Sequence, residues 1–431
     1  MTYVSVRTLP AVRKRPRQTP EKITAEVCVV GAGMAGIAAA LTLAEQGRDV
    51  VLADALPILG GQAVHSLIGL FCGVFGSGPD YPLLTQTIFA EMFSDLEGTD
   101  ALSFRYGDTL SVQYDEVVVG RWLERKIQSS GVRLALNAVA HDVDVVDGRL
   151  QSVDFASRYG DLQVSAAGFV DATGDATLTW LAGFGCHLPD REIYGSQQFR
   201  MTGIAASGAP SREDVSAALR AHGDRYGLRR REGIPFYFPD TDHAVINMTH
   251  VPSPLNVAAV GTSYLEGKDE ADRVAQFLRD TFPEAFSGAR IATYGLPGRR
   301  QTRWIEAQHS LTSQEVVKGV RFADAVARTA WPIELHDRAD SHRWEVFEPG
   351  HVHYVPLGCM IPRGAENLIA AGRCVDGDPA ALSSIRVLGP CAAMGAGAAH
   401  ALDLTLGNSI NSINLRELAA RVQDNVGSRP A

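Results

Sequence analysis

The chain lacks the cysteine patterns that mark redox-active pairs and structural metal sites. Its 431 residues include six cysteines, and no two of them form a CxxC pair or follow the spacing of zinc ligands. The sequence therefore predicts no metal site. Because the cysteines are scattered, we expect a reduced, cytoplasmic setting. These residues are Cys28, Cys72, Cys186, Cys359, Cys374 and Cys391.

An excess of positive charge is also missing. The formal net charge is -9, and no stretch interleaves aromatic with basic residues, so we expect no nucleic-acid partner. The apolar run from Val27 to Leu43 is broken by glycines, which is typical of a strand, a turn and a helix. We therefore predict no transmembrane segment and no membrane partner. The basic, proline-containing start is predicted to be a flexible arm over residues 1–22, not a signal peptide.

Glycine, by contrast, is abundant, with 42 residues in a chain that is 45% hydrophobic. Buried strands alternate with helices over the first 185 residues, and the first strand, helix and strand form a βαβ unit. The predicted elements are strands at 25–30, 49–53, 132–137 and 168–175, helices at 36–46 and 116–130, and a β-meander over 140–170 with a turn at Asp147 and Gly148.

The middle of the chain has a different pattern, with polar strands and charged helices such as 211–222 and 270–282. A buried strand at 366–373 and a small-residue helix at 389–406 then return to the first pattern. We therefore predict two lobes, the first completed by the C-terminal part of the chain. The predicted boundaries are 1–22 (arm), 23–185 (first domain), 186–345 (substrate domain), 346–410 (returning part of the first domain) and 411–431 (C-terminal helix and tail).

The segment GAGMAG places Gly31, Gly33 and Gly36 in the G-x-G-x-x-G arrangement between the first strand and the first helix. The first glycine permits the turn, the second lets the backbone approach a pyrophosphate, and the third lets the helix pack on the strand. Asp54 follows the second strand, where an acidic side chain binds a ribose. The pattern indicates a dinucleotide site, with NAD and FAD equally open, against the alternative of a glycine turn without a ligand.

Three further segments make the pattern more specific: LGGQA (59–63), VDATGD (170–175) and the run from Ala371 to Leu402. With the glycine turn, they resemble the FAD-dependent oxidoreductase family with a glutathione-reductase-type FAD-binding domain, which is related to fumarate reductase flavoproteins. The resemblance covers residues 23–185 and 350–405, and partly 298–327. It implies an α/β fold, with a Rossmann-like FAD-binding domain built on a parallel sheet with a β-meander, plus a second, mixed α+β substrate domain.

The same resemblance implies which residues contact FAD. The glycine turn would hold the pyrophosphate, Asp54 the ribose, and the backbone of Val139 the adenine. The helix that begins near Gly389 and Pro390 would point its positive end at the flavin. Arg386 either adds positive charge there or is a structural ion-pair partner. The full set is Gly31, Ala32, Gly33, Ala35, Gly36, Asp54, Gly60, Gly61, Gln62, Val139, Ala172, Thr173, Gly174, Gly372, Arg373, Arg386, Gly389 and Pro390.

The middle of the chain carries no second nucleotide-binding glycine motif, which argues against a pyridine-nucleotide disulfide reductase. We therefore expect an FAD-dependent dehydrogenase or oxidase that transfers hydride between a small organic metabolite and flavin N5. Two alternatives stay open. One is an NAD(P)H-dependent flavin monooxygenase, although VDGDPAALSSIR departs from the usual motif of that class. The other is a flavin-binding protein without catalytic activity. The oligomeric state is open, and a homo-oligomer is compatible with the sequence.

The candidate catalytic residues precede the returning FAD segment: His336, His351, His353 and Tyr354. A histidine there is suited to remove a proton at neutral pH, and the alternative is a polar loop whose histidines bind backbone groups. Arg300 and Arg303, which cluster with Arg299, and Gln62 are candidate substrate-binding residues, since paired guanidinium donors suit a carboxylate. An ion-pair network is the alternative for the arginines. Cys72 either attaches to flavin or is a small buried apolar residue, and the second is favoured.

Overall fold

A seven-stranded sheet with parallel strands at its centre dominates the computed structural model, which describes residues 19–427. The elements up to residue 171 are, in chain order, β1 (Glu21–Val30), α1 (Met34–Glu45), β2 (Val50–Asp54), α2 (Gly61–His65), β3 (Leu70–Phe71), α3 (Thr87–Asp95), β4 (Leu102–Arg105), β5 (Ser111–Tyr114), α4 (Glu116–Ser129), β6 (Arg133–Leu136), β7 (Val139–Val146), β8 (Arg149–Ser157) and β9 (Gly160–Asp171).

The remaining elements build the second lobe and then return to the main sheet. Up to residue 345 they are α5 (Thr177–Leu181), β10 (Cys186–His187), β11 (Phe199–Thr202), α6 (Arg212–His222), β12 (Ile234–Tyr237), β13 (Ala244–Asn247), α7 (Val257–Thr281), α8 (Pro283–Phe286), β14 (Arg290–Tyr294), β15 (Trp304–Ile305), α9 (Ser313–Lys318), β16 (Ala325–Thr329), β17 (Ile333–Leu335) and β18 (Arg343–Glu345). The last are β19 (His353–Pro356), β20 (Leu368–Ala370), α10 (Pro379–Ile385), α11 (Leu388–Thr405), α12 (Leu415–Arg421) and α13 (Gln423–Val426).

The main sheet has the strand order β6-β2-β1-β9-β8-β7, and β20 pairs with β9. Strands β6, β2, β1 and β9 are parallel, whereas β7, β8 and β9 form antiparallel hairpins. The predicted βαβ unit, β-meander and turn are therefore confirmed, and Asp147 and Gly148 both have positive φ, at 50° and 76°. The carboxyl ends of β1, β2 and β9 meet at one edge, where ligands bind in open α/β sheets.

The helix α1 is sandwiched between the sheet and α11, and its close packing depends on small residues. A Cβ added to Gly395 of α11 would lie 2.0 Å from the carbonyl oxygen of Ala35. Because α11 is buried along almost its whole length, a larger residue there would push the two helices apart. The predicted small-residue helix is confirmed, and the predicted returning strand forms β20, which pairs in parallel with β9.

The second lobe has its own hydrophobic core, formed by a four-stranded antiparallel sheet of order β12-β13-β11-β14 and the helices α6, α7 and α8. The helix predicted at 211–222 is confirmed and begins with a capping box at Ser211. The helix predicted at 270–282 is the second half of α7, which begins at Val257 after an Asn256 cap. The prediction missed its first half because that half contains Gly261 and a mostly exposed face, which obscure the helical period.

Two predicted boundaries differ from the structure. The second core runs only from Phe199 to Ala289, whereas Leu311, Val326 and Ile333 lie in the main core, so the predicted substrate domain 186–345 extends too far. The polar character of residues 304–345 hides these buried positions. The strand β1 begins at Glu21, inside the predicted arm, and residues 1–18 of that arm lie outside the described residues. Among residues 19–427, no helix is both long and apolar enough to cross a membrane.

Candidate functional site

The turn between β1 and α1 requires glycine at two positions for different reasons. Gly31 has φ +106°, and a Cβ there would lie 2.3 Å from the carbonyl oxygen of Ala172 at the end of β9. A Cβ on Gly36 would lie 1.7 Å from the carbonyl oxygen of Gly31. These two glycines therefore let the turn fold tightly and let α1 pack against it.

Gly33 differs from its two neighbours because its space is open. Its φ of -79° is allowed for any residue, and a Cβ there would have no protein atom within 4 Å. The first turn of α1 has no side-chain cap, so its backbone N–H groups face this opening. Gly61 closes the other side, where a Cβ would lie 2.7 Å from the Cα of Gly33. A helix N-terminus beside an opening that only glycine leaves free suits a pyrophosphate.

Asp54 lies at the carboxyl end of β2 and is fixed by two backbone donors. Its Oδ2 accepts the N–H of Ala32, and its Oδ1 accepts the N–H of Leu56 at 2.7 Å. The N–H of Ala32, which we predicted to contact the pyrophosphate, is thus bound to the carboxylate. Burial raises the pKa of Asp54, and the N–H donors of Ala32 and Leu56 oppose this. The arrangement holds a hydrogen-bond acceptor beside the glycine turn, as a ribose requires.

The backbone after β6 runs beside Asp54 and brings Val139 to the same end of the sheet. The N–H of Asn137 donates to the carbonyl of Leu56 at 3.0 Å, and the N–H of Ala138 donates to the carbonyl of Asp54 at 2.9 Å. Val139 starts β7 and is half exposed. This position is consistent with the expected contact of Val139 with adenine.

The segment after β9 contacts the returning chain through an ion pair in which Arg373 is mostly buried and Asp175 is 45% exposed. The guanidinium of Arg373 donates to Asp175 at 3.1 Å and to the hydroxyl of Thr302 at 2.9 Å. Burial alone would raise the pKa of Asp175, but Arg373 and Thr302 hold it below its usual value. The side chain of Arg373 therefore joins the returning segment to the segments that carry Asp175 and Thr302. Its backbone neighbour Gly372 lies against α1, since a Cβ there would be 3.1 Å from that of Ala35.

The N-terminus of α11 is partly satisfied by the protein itself. The N–H of Gly389 donates to the carbonyl of Cys72 at 3.0 Å, and Pro390 has no N–H. A Cβ on Gly389 would lie 2.4 Å from the carbonyl oxygen of Gly73. The first turn of α11 therefore offers a flavin fewer free N–H donors than an unobstructed helix end would. The helix dipole is unchanged.

A chain of hydrogen bonds connects Glu334 to the interior of the second lobe. Oε1 of Glu334 lies 3.0 Å from Nε2 of His336, whose Nδ1 lies 3.0 Å from Nε2 of His250. Nδ1 of His250 lies 2.9 Å from the carbonyl oxygen of Ala339. Because that carbonyl can only accept, His250 donates from Nδ1 and accepts at Nε2 from His336. Nε2 of His336 then faces Oε1 of Glu334.

Within residues 19–427, no group of three or more His, Cys, Asp or Glu side chains is placed to hold a metal ion. The two histidines of the hydrogen-bond chain, His250 and His336, are uncharged at neutral pH. Burial, followed by the charges of Arg300 and Arg230, lowers the pKa of His336 well below its usual value. Burial, again with Arg230 and Arg300, lowers that of His250 to about 2. Glu334 is the partly exposed end of the chain, since its side chain is 25% exposed while that of His336 is fully buried.

Arginine side chains surround Glu334. Nη2 of Arg386 donates to the backbone carbonyl of Glu334 at 2.9 Å, and Nη1 of Arg300 donates to the carbonyl of Tyr194 at 2.7 Å. Burial and the charge of Arg230 lower the pKa of Arg300 to about 9, which Glu334 partly offsets. Burial also lowers the pKa of Arg386, to about 10. Arg300, Glu334 and Arg386 are all partly exposed, and their charges act on one another. We call the place where these three side chains meet the recess.

Within residues 19–427, no hydrogen bond joins the other three candidate catalytic residues to Glu334. His353 on β19 is fully buried, with Nε2 2.8 Å from the hydroxyl oxygen of Ser384 and Nδ1 3.3 Å from His351. His351 stacks on Phe347, with ring centroids 4.1 Å apart. The neighbouring residue Tyr354 lies under the guanidinium of Arg321. These contacts favour a packing role for all three.

The burial of His353 leads to a prediction about pH. Burial lowers the pKa of His353 to about 3, so between pH 7 and 5.5 the unfolded chain takes up a proton there and the folded chain does not. Stability attributable to this group is present above its unfolded pKa and is lost as pH falls, by about 1 kcal/mol over that range. In urea unfolding, the free energy of unfolding of the variant His353→Gln is expected to fall by about 1 kcal/mol less than that of the parent between pH 7 and 5.5. Equal losses in both proteins would contradict this account.

The three candidate substrate-binding residues, Gln62, Arg300 and Arg303, have different surroundings in the structure. Oε1 of Gln62 accepts the N–H of Arg299 at 2.9 Å, which ties α2 to the segment that carries Arg300. Nε of Arg303 donates to the carbonyl of Asp175 at 3.0 Å, and its guanidinium lies 4.4 Å from the ring centroid of Trp180. Arg303 therefore packs on Trp180 and the backbone of Asp175, whereas Arg300 lies with Glu334 and Arg386.

Several residues of the recess were missed from the sequence. The segment WPIELHD contains Glu334, and the alternation of strand side chains places it on the same face as His336, which was a usable signal. Arg230 and His250 come from the second lobe, more than eighty residues earlier in the chain. No spacing rule connects them to β17.

Comparison with known proteins agrees with this geometry. The family model of the FAD dependent oxidoreductases matches residues 26–424. A urocanate reductase from Eggerthella lenta is 55% identical over 51 residues, which are 11% of this chain and 8% of that protein. The chain thus spans a small part of that relative.

Two solved structures also align over most of the chain. A geranylgeranyl bacteriochlorophyll reductase-like protein from Thermoplasma acidophilum is 13% identical, with a TM-score of 0.47, 94% of this chain covered and 82% of that chain. CabE, an aromatic hydroxylase from angucycline biosynthesis, is 13% identical, with a TM-score of 0.47 and coverage of 93% and 65%. The match over residues 26–424 and the glycine turn with its open Gly33 lead to one conclusion: the chain belongs to the FAD dependent oxidoreductase family and is an FAD-dependent enzyme.

Proposed function

We propose that the enzyme oxidises or reduces a small organic metabolite in the recess formed by Arg300, Glu334 and Arg386. When bound, FAD supplies a two-electron centre that exchanges hydride through N5. The observation that carries the proposal is Glu334 itself, a partly exposed carboxyl group connected to two buried, uncharged histidines. Such a group can take a proton from a substrate or return one.

The contacts of the recess support its location beside the cofactor. Gln62 follows Gly61, which packs on Gly33, and it binds the backbone directly before Arg300. Arg386 lies directly before α11, whose N-terminus packs on Gly73. Two segments predicted to lie along FAD, that of Gln62 and the start of α11, therefore adjoin Arg300 and Arg386.

Glu334 is a better candidate for the proton-transferring group than His336, because His336 is fully buried and Glu334 lies between it and the recess. His336 is then a positioning residue. Trp331 fixes the other carboxyl oxygen, since its Nε1 donates to Oε2 of Glu334 at 3.1 Å. A carboxyl group held at both oxygens keeps one orientation toward a bound substrate.

An anaerobic spectroscopic screen tests the proposal. The FAD-loaded protein is mixed with candidate metabolites, and loss of the oxidised flavin band is recorded. We expect bleaching by at least one organic compound in the absence of NAD(P)H, or, for a reductase, reoxidation of dithionite-reduced protein by an organic acceptor.

Two other outcomes would overturn the proposal. Rapid bleaching by NAD(P)H, with an organic compound needed only for oxygen-dependent turnover, would identify a flavin monooxygenase. No change with any metabolite in either redox state would identify a protein whose flavin is not catalytic.

A further inference from the structure

A cavity of about 310 Å³ lies at the surface between the C-terminal end of α3 and the strand β4, and we call it the aromatic cavity. Its apolar walls are the side chains of Phe93, Leu96, Leu102 and Phe104. Phe104 is 44% exposed, which leaves a large part of an aromatic ring in contact with water. Because covering exposed apolar surface is favourable, the aromatic cavity suits an apolar ligand.

A cluster of aromatic rings fixes the shape of the aromatic cavity. The ring of Phe93 meets that of Phe104 edge to face, with centroids 6.1 Å apart and an interplanar angle of 67°. Phe93 also stacks on Phe75 at 5.9 Å, and it packs on Phe71 and Phe89. Rings held by several neighbours keep one orientation, so a flat ligand loses little free energy to ordering of the walls. A cavity of roughly 150 Å³ holds benzene, so this one has room for a ring with a short side chain.

The rim of the aromatic cavity carries negative charge. Glu97 is the charged side chain among the described lining residues, none of which is basic. Within residues 19–427, Glu97 forms no ion pair, whereas Glu91 on α3 pairs with Lys126. The lining residue Ser94 belongs to the last turn of α3, so the partial negative charge of that helix end acts at the same rim. The rim therefore favours a positively charged group over a negative one.

The wall of the aromatic cavity continues into the segment that packs on the start of α11. Phe71 and Phe75 flank Gly73 in the chain. A Cβ on Gly73 would lie 2.8 Å from Oγ1 of Thr329 and 3.0 Å from Cδ of Pro390. Residues 71–75 thus contact the cavity wall through their rings and α11 through Gly73. A ligand that shifts the wall therefore also acts on the helix end expected beside the flavin.

We propose that the aromatic cavity is a second small-molecule site, which binds an aromatic amine. The ring of the ligand lies between Phe93 and Phe104, and its ammonium group lies beside Glu97. The exposed ring of Phe104 adds a cation–π contribution to the binding of that group. Occupancy changes the surroundings of bound FAD through residues 71–75. The aromatic cavity shares no residue with the recess, so this inference goes beyond the proposed function and does not depend on it.

Calorimetric titration of the FAD-loaded protein with three probes tests the proposal. The probes are phenethylamine, 2-phenylethanol and phenylacetate, which are similar in size and carry a positive charge, no charge and a negative charge. We expect phenethylamine to bind about 3-fold more tightly than 2-phenylethanol, because an exposed ion pair contributes little, and phenylacetate to bind most weakly. The visible flavin band is recorded in the same titrations, and phenethylamine is expected to shift it.

Two variants and a matched control connect this binding to the aromatic cavity. Phe104→Ala removes one wall and is expected to weaken the binding of phenethylamine and of 2-phenylethanol about 10-fold. Glu97→Gln keeps the shape of the rim and is expected to make these two probes bind equally. Tyr106→Ala is the control, because Tyr106 is an exposed aromatic residue of the same segment that does not line the cavity, and it should change neither affinity.

Four results would overturn the proposal. They are no binding of phenethylamine, binding of phenylacetate as tight as that of phenethylamine, equal effects of Phe104→Ala and Tyr106→Ala, and loss of phenethylamine binding in Glu334→Gln, which would place this ligand in the recess. An unchanged flavin band at saturation would contradict the coupling between the aromatic cavity and the flavin. None of these results bears on the reaction proposed for the recess.

Discussion

The variant Gly33→Val is expected to fold normally and to lose FAD. A Cβ at Gly33 would meet no protein atom within 4 Å, and the backbone there is extended, so we expect the fold to tolerate the change. The added methyl groups occupy the space into which the N–H groups of α1 point, so they exclude the pyrophosphate. We expect FAD affinity to fall about 100-fold or more, which corresponds to about 2.8 kcal/mol. FAD titration monitored by quenching of flavin fluorescence measures the loss.

Two further glycine variants make this result specific. Gly36→Ala places a Cβ 1.7 Å from the carbonyl oxygen of Gly31, so it is expected to lower the Tm of the FAD-free protein, which Gly33→Val leaves unchanged. Gly261→Ala, at a helical position with open space, is expected to lower neither the FAD affinity nor the Tm of the FAD-free protein. Normal FAD binding by Gly33→Val would show that the pyrophosphate lies elsewhere.

The variant Glu334→Gln is expected to slow the reductive or oxidative half-reaction about 100- to 10,000-fold, because its amide cannot accept or release the proton of the substrate. FAD content and the flavin spectrum should stay unchanged. Stopped-flow absorbance with a metabolite identified by the bleaching screen measures the rate. His336→Gln is expected to have a smaller effect and to shift the pH profile, because it alters the partner of Glu334 and leaves the carboxyl group in place.

His353→Gln is the control for this pair, since it changes a buried histidine outside the recess and should leave the rate close to that of the parent. A larger rate loss with His353→Gln than with Glu334→Gln would indicate that His353 on β19, and not Glu334, transfers the proton. A normal rate with Glu334→Gln would remove Glu334 from the reaction.

The cofactor side of the molecule could be predicted from sequence because its requirements are local. Gly31, Gly33 and Gly36 lie within six residues of one another; Gly31 and Gly36 are needed by the backbone geometry of the turn, and Gly33 leaves the space beside it open. The strands that surround this turn are continuous apolar runs, so the sheet followed from their pattern. The family resemblance supplied the residues that no local rule connects to the turn, such as Ala172.

The substrate side was predicted less well because its residues meet only in three dimensions. Glu334 and His336 are neighbours on one strand, but Arg230 and His250 belong to the second lobe and Arg386 to the returning segment. Sequence reasoning favoured His353 and Arg303, which carry suitable chemistry. In the structure His353 contacts Ser384 and Arg303 contacts the carbonyl of Asp175, and neither forms a hydrogen bond with Glu334.

The most direct test of the account is a crystal structure of the FAD-loaded protein soaked with a metabolite that bleaches its flavin. The account predicts the pyrophosphate against the N–H groups that follow Gly33, and the metabolite between the flavin ring and Glu334. A flavin ring remote from Arg300, Glu334 and Arg386 would contradict it.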